Sequence, residues 1–233
     1  MTRVELVERR SGSVRFLCWP YEGIGMVHVL EPLVFQRSPW LVEEIASRAG
    51  GGDLRILKQV HGAQILGTGE VKEPFERTGD GLFGEGAGSL GVLTADCLPL
   101  LLFDHERMVL LHVGWRGMMG GIVERGCELF PEGSQVRAML GPCIRGCCYQ
   151  VDPSFVEEVG RRYPHIHGKG VVRCVGEHLY FDIPSAVAGI LLRAGVLEVM
   201  DCGLCTFCGG DFPSYRREGE RAGRMLTVAW RER

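Results

Sequence analysis

The sequence predicts an α+β fold, with mixed β-sheets layered between outer helices in a single compact body that spans residues 1–233. Two observations support this prediction. Short apolar runs are joined by polar hairpin turns in some places and by helical segments in others, which is typical of mixed sheets with helices outside. The length of 233 residues also suits one domain, large enough to bury roughly 70% of its unfolded surface.

Charge and hydropathy exclude several classes of protein. The net charge is −3, so the chain lacks the basic balance expected of a nucleic-acid-binding protein. No apolar run reaches the ~20 residues that cross a bilayer, and the first ten residues lack the apolar stretch of a signal peptide. We therefore expect a cytoplasmic protein with neither a nucleic-acid nor a membrane partner.

The ten cysteines lie in apolar or glycine-rich runs. In a small secreted protein this number would indicate disulfides. In a reducing compartment, cysteines are more often buried thiols, metal ligands or reactive groups. We therefore do not expect a disulfide framework.

The first quarter of the chain predicts short strands and one helix. Residues 3–7, 14–19 and 23–29 are candidate strands. A helix follows with Ser38 as its N-cap and Pro39 in its first turn, and a run of three glycines ends it. Its apolar stripe consists of Leu41, Val42, Ile45, Ala46 and Ala49.

The middle of the chain predicts the strands that carry the site. A strand from Leu54 to Val60 delivers His61 at its end, and Leu90–Thr94 is a buried strand. Leu98–Phe103 and Met108–Val113 then form a hairpin around a polar turn. We expect the segments after this hairpin to alternate between helices and strands, with helices at Met118–Phe130, after Asp152-Pro153 and after Asp182, and strands at residues 136–140, 179–181, 196–201 and 225–230.

His61, Cys97 and His112 are the candidate metal ligands. Cys97 precedes one hairpin strand and His112 lies inside the other, so a thiolate and an imidazole at the same level form half of a zinc site. His61 supplies a third ligand, and a vacant fourth position is what a catalytic zinc requires. The alternative is that these are ordinary core residues, because they are far apart in sequence.

Arginines beside glycines are candidate anion contacts, because a guanidinium matches phosphate or carboxylate with two hydrogen bonds. Arg116 lies in a Gly-Trp-Arg-Gly segment, which makes a purely solvated role less favoured there. The C-terminal region adds Arg216 and Arg217, whereas solvated surface charge is the favoured interpretation for Arg224.

Three acids and a cysteine run complete the candidates. Asp96 adjoins Cys97 and is placed to act as a base or to orient a ligand. Asp152 suits a helix N-cap, and Asp80 in Gly-Asp-Gly suits a turn. The run Cys202, Cys205 and Cys208 predicts either a metal knuckle, with a fourth ligand from Cys143, Cys147 or Cys148, or small buried thiols that pack beside glycines.

Several of these segments together resemble the laccase-domain family, also called the multicopper polyphenol oxidase family. The motifs follow one another over about three quarters of the chain, and in combination they are highly specific. They are Gln59-Val60-His61-Gly62, Thr94-Ala95-Asp96-Cys97-Leu98-Pro99, His112-Val113-Gly114-Trp115-Arg116-Gly117, Gly141-Pro142-Cys143-Ile144, Cys205-Thr206 and Tyr215-Arg216-Arg217.

The resemblance implies a zinc-dependent purine nucleoside phosphorylase that acts on adenosine, inosine, guanosine and methylthioadenosine and also deaminates adenosine. The implied zinc ligands are His61, Cys97 and His112. We expect Asp96 and Arg116 to be catalytic, and Gln59, Arg216 and Arg217 to contact nucleoside or phosphate, in a monomer or small homo-oligomer. Copper is less favoured, because a laccase needs several copper centres and the chain has seven histidines.

Two alternatives remain open. Cys97 beside a histidine also suits a cysteine-type hydrolase, for which editing of peptidoglycan precursors is the activity associated with bacterial relatives. A non-catalytic nucleoside-binding protein is the other alternative, prompted by the N-terminal region. That region reads Arg15-Phe16-Leu17-Cys18-Trp19-Pro20 where family members carry a longer segment with a His-Gly-Phe-Ser-Thr-Arg-like strand, so we expect the substrate contacts of that region to differ.

Overall fold

A computed structural model describes the protein over residues 1–11, 14–33, 54–86, 88–166 and 170–231. Three β-sheets form in these ranges, and we number their strands in chain order. The seven-stranded sheet has the spatial order β1 (Thr2–Arg3), β15 (Glu198–Asp201), β11 (Arg137–Leu140), β9 (Leu98–Phe103), β10 (Arg107–Val113), β7 (Gly81–Glu85) and β6 (Ile65–Gly67).

The second large sheet has six strands, and a small sheet has three. The six-stranded order is β2 (Val7–Ser11), β3 (Val14–Cys18), β4 (Ile24–Leu33), β16 (Arg224–Arg231), β8 (Ser89–Thr94) and β5 (Leu54–Ile56). The three-stranded order is β12 (Gln150–Val151), β14 (His178–Phe181) and β13 (Val172–Val175). Both large sheets are mixed, since β15 pairs in parallel with β1 and β11, β6 with β7, and β5 with β8.

Five α-helices occur in the described ranges. None of them has the length and apolar character that spanning a membrane would require. They are α1 (Trp115–Met119), α2 (Ile122–Glu128), α3 (Pro153–Arg162), α4 (Ile183–Arg193) and α5 (Tyr215–Glu218), with short 3-10 helices at Thr68–Glu70 and Gly219–Arg221.

Strand β9 shows how the layers pack. Leu100 and Leu102 face a core that includes residues of α2 and α4, whereas Leu101 and Phe103 face a core shared with the six-stranded sheet. This alternation follows from the period of two along a strand. The predicted α+β class, with mixed sheets in one compact body, is confirmed.

Three predicted elements are wrong in extent. The strand expected at residues 3–7 is divided, because β1 ends at Arg3 and β2 of the other large sheet begins at Val7. The helix expected from Met118 to Phe130 is interrupted, because the chain turns at Gly121, which has a left-handed φ of 83° and begins α2. The strand expected from Leu54 to Val60 ends at Ile56: the Lys58 N–H donates to the Arg77 carbonyl rather than to β8, and the Val60 N–H donates to the Asp80 carboxylate. The helix predicted from Ser38 lies outside the described residues.

The hairpin and the two later helices are confirmed. Strands β9 and β10 are antiparallel, and the Asp104 carboxylate closes their turn by accepting hydrogen bonds from the N–H groups of Glu106 and Arg107. Helix α4 begins at Asp182, whose carboxylate accepts the Ser185 N–H, as the N-cap prediction requires.

A buried histidine lies in β4. His28 is fully buried, and its Nε2 accepts a hydrogen bond from Trp19 Nε1 at 2.9 Å. The ring proton is therefore on Nδ1, which lies 2.8 Å from Thr227 Oγ1. Burial lowers the pKa of His28 to about 3, because a second ring proton would have no solvent and would break the Trp19 hydrogen bond.

We expect His28 to make the protein less stable in acid. Between its unfolded pKa of ~6.5 and its folded pKa of about 3, the unfolded chain binds a proton that the folded chain does not. The free energy of unfolding should therefore fall by about 1.4 kcal/mol per pH unit from this group as the pH drops below ~6.5. Denaturant unfolding at several pH values should give a shallower decline for His28→Gln than for the wild type.

The matched control is His105→Gln, because His105 is exposed in the β9–β10 turn. This variant should keep the wild-type pH dependence. Equal pH dependence of the wild type and His28→Gln would contradict the assignment.

Candidate metal centre and active site

The site lies where the chain passes from one large sheet to the other. Strand β8 of the six-stranded sheet ends at Thr94, and β9 of the seven-stranded sheet begins at Leu98. Cys97 immediately precedes β9, and His112 in β10 pairs with Pro99, so both side chains belong to the same end of the hairpin. The loop after β5 brings in His61.

The three predicted ligands are brought together. One ligand atom of each of His61, Cys97 and His112 lies within 4.8 Å of the others, and the two imidazole rings meet edge to face with centroids 4.8 Å apart. Bonds of ~2.0 to 2.3 Å to a tetrahedral ion would place such atoms ~3.3 to 3.8 Å apart. His61 is exposed, Cys97 half-buried and His112 buried, so the cluster is open on one side. These residues fit a metal ion with a free coordination position.

Asp80 organises the cluster. Its carboxylate is 1% exposed and lies 2.8 Å from His112 Nδ1. The same carboxylate accepts hydrogen bonds from the backbone N–H groups of Val60, His61 and Gly62, at 3.2, 2.9 and 2.7 Å. Nδ1 of His112 is thereby committed as a donor, which leaves Nε2 as the ligand atom.

The backbone around His61 bends to make these contacts. His61 has a φ of 59°, in the left-handed region, because three successive N–H groups converge on one carboxylate. Gly114 allows the close approach of the ligands: a Cβ there would lie 3.1 Å from Cys97 Sγ and 3.2 Å from His61 Cδ2. Even alanine at position 114 would therefore crowd both ligands.

The charges in the cluster stabilise a thiolate. Burial alone would raise the pKa of Cys97, but the charge of His112 and hydrogen bonds from His112 and His61 outweigh it and lower the pKa to about 6. Burial opposes protonation of His112, yet the Cys97 charge and the hydrogen bond with Asp80 raise its pKa to about 9. Burial likewise acts against the Asp80 carboxylate, but bonds from His112 and the backbone lower its pKa.

Asp96 connects the site to the C-terminal segment. Its carboxylate is buried and accepts hydrogen bonds from Thr206 Oγ1 at 2.6 Å, Ser214 Oγ at 3.1 Å and the Arg216 N–H at 2.7 Å. Its φ of 85° is left-handed, and its carbonyl accepts the Ile144 N–H. Asp96 therefore holds three chain segments beside Cys97, and its expected catalytic role stays a prediction.

Two of the arginines predicted to bind an anion, Arg116 and Arg216, have exposed side chains. Arg116 stacks over the Trp115 ring, with 4.7 Å from Cζ to the ring centroid. Arg216 lies over the Tyr149 ring at 5.1 Å and donates to the Gln150 carbonyl at 3.2 Å. Both guanidinium groups remain available to a ligand.

Two residues predicted to contact nucleoside or phosphate, Arg217 and Gln59, make hydrogen bonds within the protein. The Arg217 guanidinium donates to the carbonyls of Thr206 and Phe207 at 3.1 Å and to the Glu218 carboxylate. The Gln59 amide makes two hydrogen bonds of 2.7 Å with the backbone of Leu93 in β8. Their expected substrate contacts stay predictions, and their structural contacts fix the two loops around the site.

Tyr149 is a site residue that sequence patterns did not single out. Burial raises its pKa to about 12, and the charges of Arg216, Cys97, Arg116 and Asp96 all act on its hydroxyl. Its ring lies under the Arg216 guanidinium, 5.1 Å from Cζ to the centroid, and packs edge to face on Phe155, which also packs on Trp115. Its position directly after Cys147-Cys148 carried no local signal that distinguished it from a core tyrosine.

The fold and the cluster define a class of protein: two mixed sheets whose junction presents a partly open His–Cys–His group able to hold a metal. Residues 40–232 match the family described as multi-copper polyphenol oxidoreductase laccase. The chain belongs to this family.

Several bacterial relatives carry the name purine nucleoside phosphorylase. The chain is 34% identical to one from Deinococcus radiodurans over 184 residues, which is 76% of this chain and 69% of the relative. It is 33% identical to one from Aquifex aeolicus over 140 residues, 59% of this chain, and the match spans only 63% of that relative. The Shigella flexneri protein named purine nucleoside phosphorylase YfiH is 30% identical over 75% of this chain and 72% of its own length.

Solved structures share the fold. The chain is similar to YlmD from Geobacillus stearothermophilus, with a TM-score of 0.81 and 23% identity over 98% of this chain and 100% of that chain. A Bacillus licheniformis protein described as hypothetical protein YfiH gives a TM-score of 0.84 at 21% identity over 97% and 99% of the two chains. At these identities the likeness establishes the fold alone.

We expect Asp80→Asn to weaken metal binding at this cluster by about 10- to 100-fold, because a hydrogen-bonding partner that orients a ligand is typically worth that much. The amide keeps the size of the side chain but cannot accept from all four donors. Zinc affinity is to be measured by competition with a chelator. Asp104→Asn is the matched control, since Asp104 is also a buried carboxylate that accepts backbone N–H groups, in the distant hairpin turn. Equal affinities in the two variants would contradict the role of Asp80.

Proposed function

We propose that this protein is a zinc-dependent purine nucleoside phosphorylase. The observation that carries the proposal is the open cluster of His61, Cys97 and His112 together with the exposed Arg116, which lies in the helix directly after the strand of His112. A metal-binding group next to an anion-binding group is what a reaction between a nucleoside and phosphate requires. The names of the bacterial relatives support the same substrate class.

The donor set favours zinc over copper. Two imidazoles and one thiolate are ligands that zinc takes in catalytic sites, which keep a fourth position open. A zinc ion held there would act as a Lewis acid toward an oxygen or nitrogen of the bound substrate. Multicopper oxidation needs several metal centres with many imidazoles, and this cluster offers two.

In phosphorolysis, different residues bind the phosphate and the nucleoside. Arg116 and Arg216 bind the phosphate dianion and hold one of its oxygens toward C1′ of the ribose. That oxygen forms a bond to C1′ as the C1′–N9 bond breaks, through an oxocarbenium-like state. The electron pair of the broken bond stays with the purine, which takes up the proton that the hydrogen phosphate gives up. The products are ribose 1-phosphate and the free base. The Tyr149 and Trp115 rings border this space and offer apolar faces to the nucleoside.

We extend the proposal to adenosine, inosine, guanosine and methylthioadenosine as phosphorolysis substrates, and to deamination of adenosine. Asp96 is the candidate proton carrier for deamination. An ionised carboxylate offers about four lone pairs, and Thr206, Ser214 and Arg216 use three of them. The remaining lone pair is the one that would accept a proton.

A cysteine hydrolase is the second candidate, and a specific geometry favours it. Asp80, His112 and Cys97 form a chain in which a carboxylate orients an imidazole beside a thiolate, as in nucleophile–base–acid arrangements. Metal content separates the two candidates. A metal-bound thiolate is protected from alkylation, whereas a metal-free enzyme inactivated by iodoacetamide at Cys97 would favour the hydrolase.

We expect His61→Ala to lose one zinc ion per chain relative to the wild type and to lose adenosine phosphorolysis, because the cluster retains only two ligands. Protein purified without added metal is to be tested by elemental analysis, together with product analysis in adenosine and phosphate. His105→Ala is the control and should keep both properties. Unchanged zinc content in His61→Ala would contradict the ligand assignment.

The same product analysis tests the non-catalytic alternative. If zinc-loaded wild type binds adenosine but releases neither free base nor ammonia, the protein is a binding protein and not an enzyme.

We expect Arg116→Ala to raise the KM for phosphate by about 10- to 100-fold, because a charge-assisted hydrogen bond is worth ~1.5 to 3 kcal/mol. The KM for adenosine should change much less. Arg193→Ala is the matched control, since Arg193 is an exposed arginine at the end of α4. A phosphate KM that is the same in both variants would remove Arg116 from the anion site.

A further inference from the structure

Four cysteines outside this site lie together. Cys147 and Cys148 follow β11, and Cys205 and Cys208 follow β15. Their four Sγ atoms all lie within 4.8 Å of one another. Cys208 Sγ is 3.5 Å from Cys147 Sγ and 3.0 Å from Cys148 Sγ. We call this group the thiol cluster.

The backbone assembles the thiol cluster from two tight turns. The Cys148 N–H donates to the Arg145 carbonyl at 2.8 Å, and the Gly209 N–H donates to the Cys205 carbonyl at 2.9 Å. A parallel bridge between Cys143 and Cys205 holds the two segments side by side.

Ion pairing anchors the first turn. The Arg145 guanidinium binds the Asp201 carboxylate through two hydrogen bonds of 2.8 and 2.7 Å. Asp201 is the last residue of β15, so this ion pair ties the turn after β11 to the neighbouring strand. The convergence of the thiols therefore follows from backbone and ion-pair contacts independent of the sulfur atoms.

We propose that the thiol cluster is a second metal site, a closed structural site for zinc with four thiolate ligands. Tetrahedral coordination with Zn–S bonds of ~2.3 Å places the sulfur atoms ~3.8 Å apart, and the separations in the cluster, from 3.0 Å to at most 4.8 Å, bracket that value. Cys205 and Cys208 have the two-residue spacing of a zinc knuckle.

Cys202 is not part of this site. It is buried in the core between the two large sheets. Of the ligands anticipated from sequence, Cys205 and Cys208 belong to the cluster, and Cys147 and Cys148 both join them.

The surroundings support negative charge on one of the four sulfurs, that of Cys205, whereas burial and the neighbouring thiols raise the pKa of Cys147 and of Cys148. Burial would raise the pKa of Cys205, but backbone N–H groups of Cys208, Arg145 and Phe207 hydrogen-bond its sulfur and lower the pKa. The Arg217 guanidinium, bonded to the Thr206 and Phe207 carbonyls, places a positive charge within the same loop. Zinc binding forms four Zn–S bonds and releases to solvent the protons of the thiols that bind, so no oxidant or reductant takes part.

The thiol cluster borders the first site through one side chain. Thr206 lies between Cys205 and Cys208, and its hydroxyl donates to Asp96, the neighbour of Cys97. A metal in the cluster would fix the loop that holds Asp96. Its role is therefore structural, and its effect on the reaction passes through the position of Asp96.

The test is zinc content per chain in protein purified from reducing cells without added metal. The wild type should hold about two zinc ions, and Cys208→Ser and His61→Ala about one each. The double variant should hold none. Cys174→Ser is the matched control, since Cys174 is exposed in β13 outside the cluster, and it should keep the wild-type zinc content.

Two results would overturn the thiol site. One is a single zinc ion in the wild type that His61→Ala abolishes and Cys208→Ser retains, which leaves the first site intact. The other is a Cys148–Cys208 disulfide in protein alkylated at cell lysis. Conversely, a single zinc ion that only Cys208→Ser abolishes supports the thiol site and contradicts the first.

A measurement on the wild type covers the case in which Cys208→Ser does not fold. Alkylation of Cys147 and Cys208, followed by mass spectrometry, should be slow in the purified protein and at least about tenfold faster after zinc removal by a chelator. Cys174 should react at the same rate in both conditions. Equal rates for Cys147 and Cys208 before and after chelation would overturn the proposal.

Discussion

The buried carboxylate of Asp80 is the contact on which the site depends. It binds one imidazole and three consecutive backbone N–H groups, so a single side chain sets both the tautomer of His112 and the path of the His61 loop. Each donor would be unsatisfied without it, and buried unpaired donors are costly. Asp80 thereby holds the His61 loop to the segment that carries His112.

Asp96, the residue before Cys97, is a second buried carboxylate that holds chain segments in place by hydrogen bonds. Asp80 fixes the segment before the cluster, and Asp96 gathers Thr206, Ser214 and Arg216 from the C-terminal region. The ligands are thus held between two buried carboxylates that accept only internal hydrogen bonds. This arrangement explains why residues from both large sheets and from the C-terminal loops are needed to form one small site.

Local patterns were sufficient for the parts of the structure that depend on neighbours in sequence. The β9–β10 hairpin and the cap at Asp182 were predictable from apolar runs and capping residues. The convergence of His61, Cys97 and His112 is not local: their spacing left a core role open, and the motifs of the resembled family indicated the ligand set. The role of Asp80 was not predictable, because its partners lie about 20 and 30 residues away and a Gly-Asp-Gly segment is an ordinary turn signal. The hydrogen bonds of the Gln59 amide with Leu93 and of the Arg217 guanidinium with loop carbonyls were also not predictable. They form only because the tertiary fold brings distant segments together.

The position of β16 has a consequence for how the chain reaches this structure. This strand lies inside the six-stranded sheet, where Val228 pairs with Val27 of β4 on one side and Gly91 of β8 on the other. Until residues from distant parts of the chain meet there, β4 and β8 each present an unpaired edge toward an open slot. Non-local pairing of this kind is slow, and open strand edges invite association with other chains. The facing edges of β4 and β8 are therefore covered only once β16 has joined the sheet.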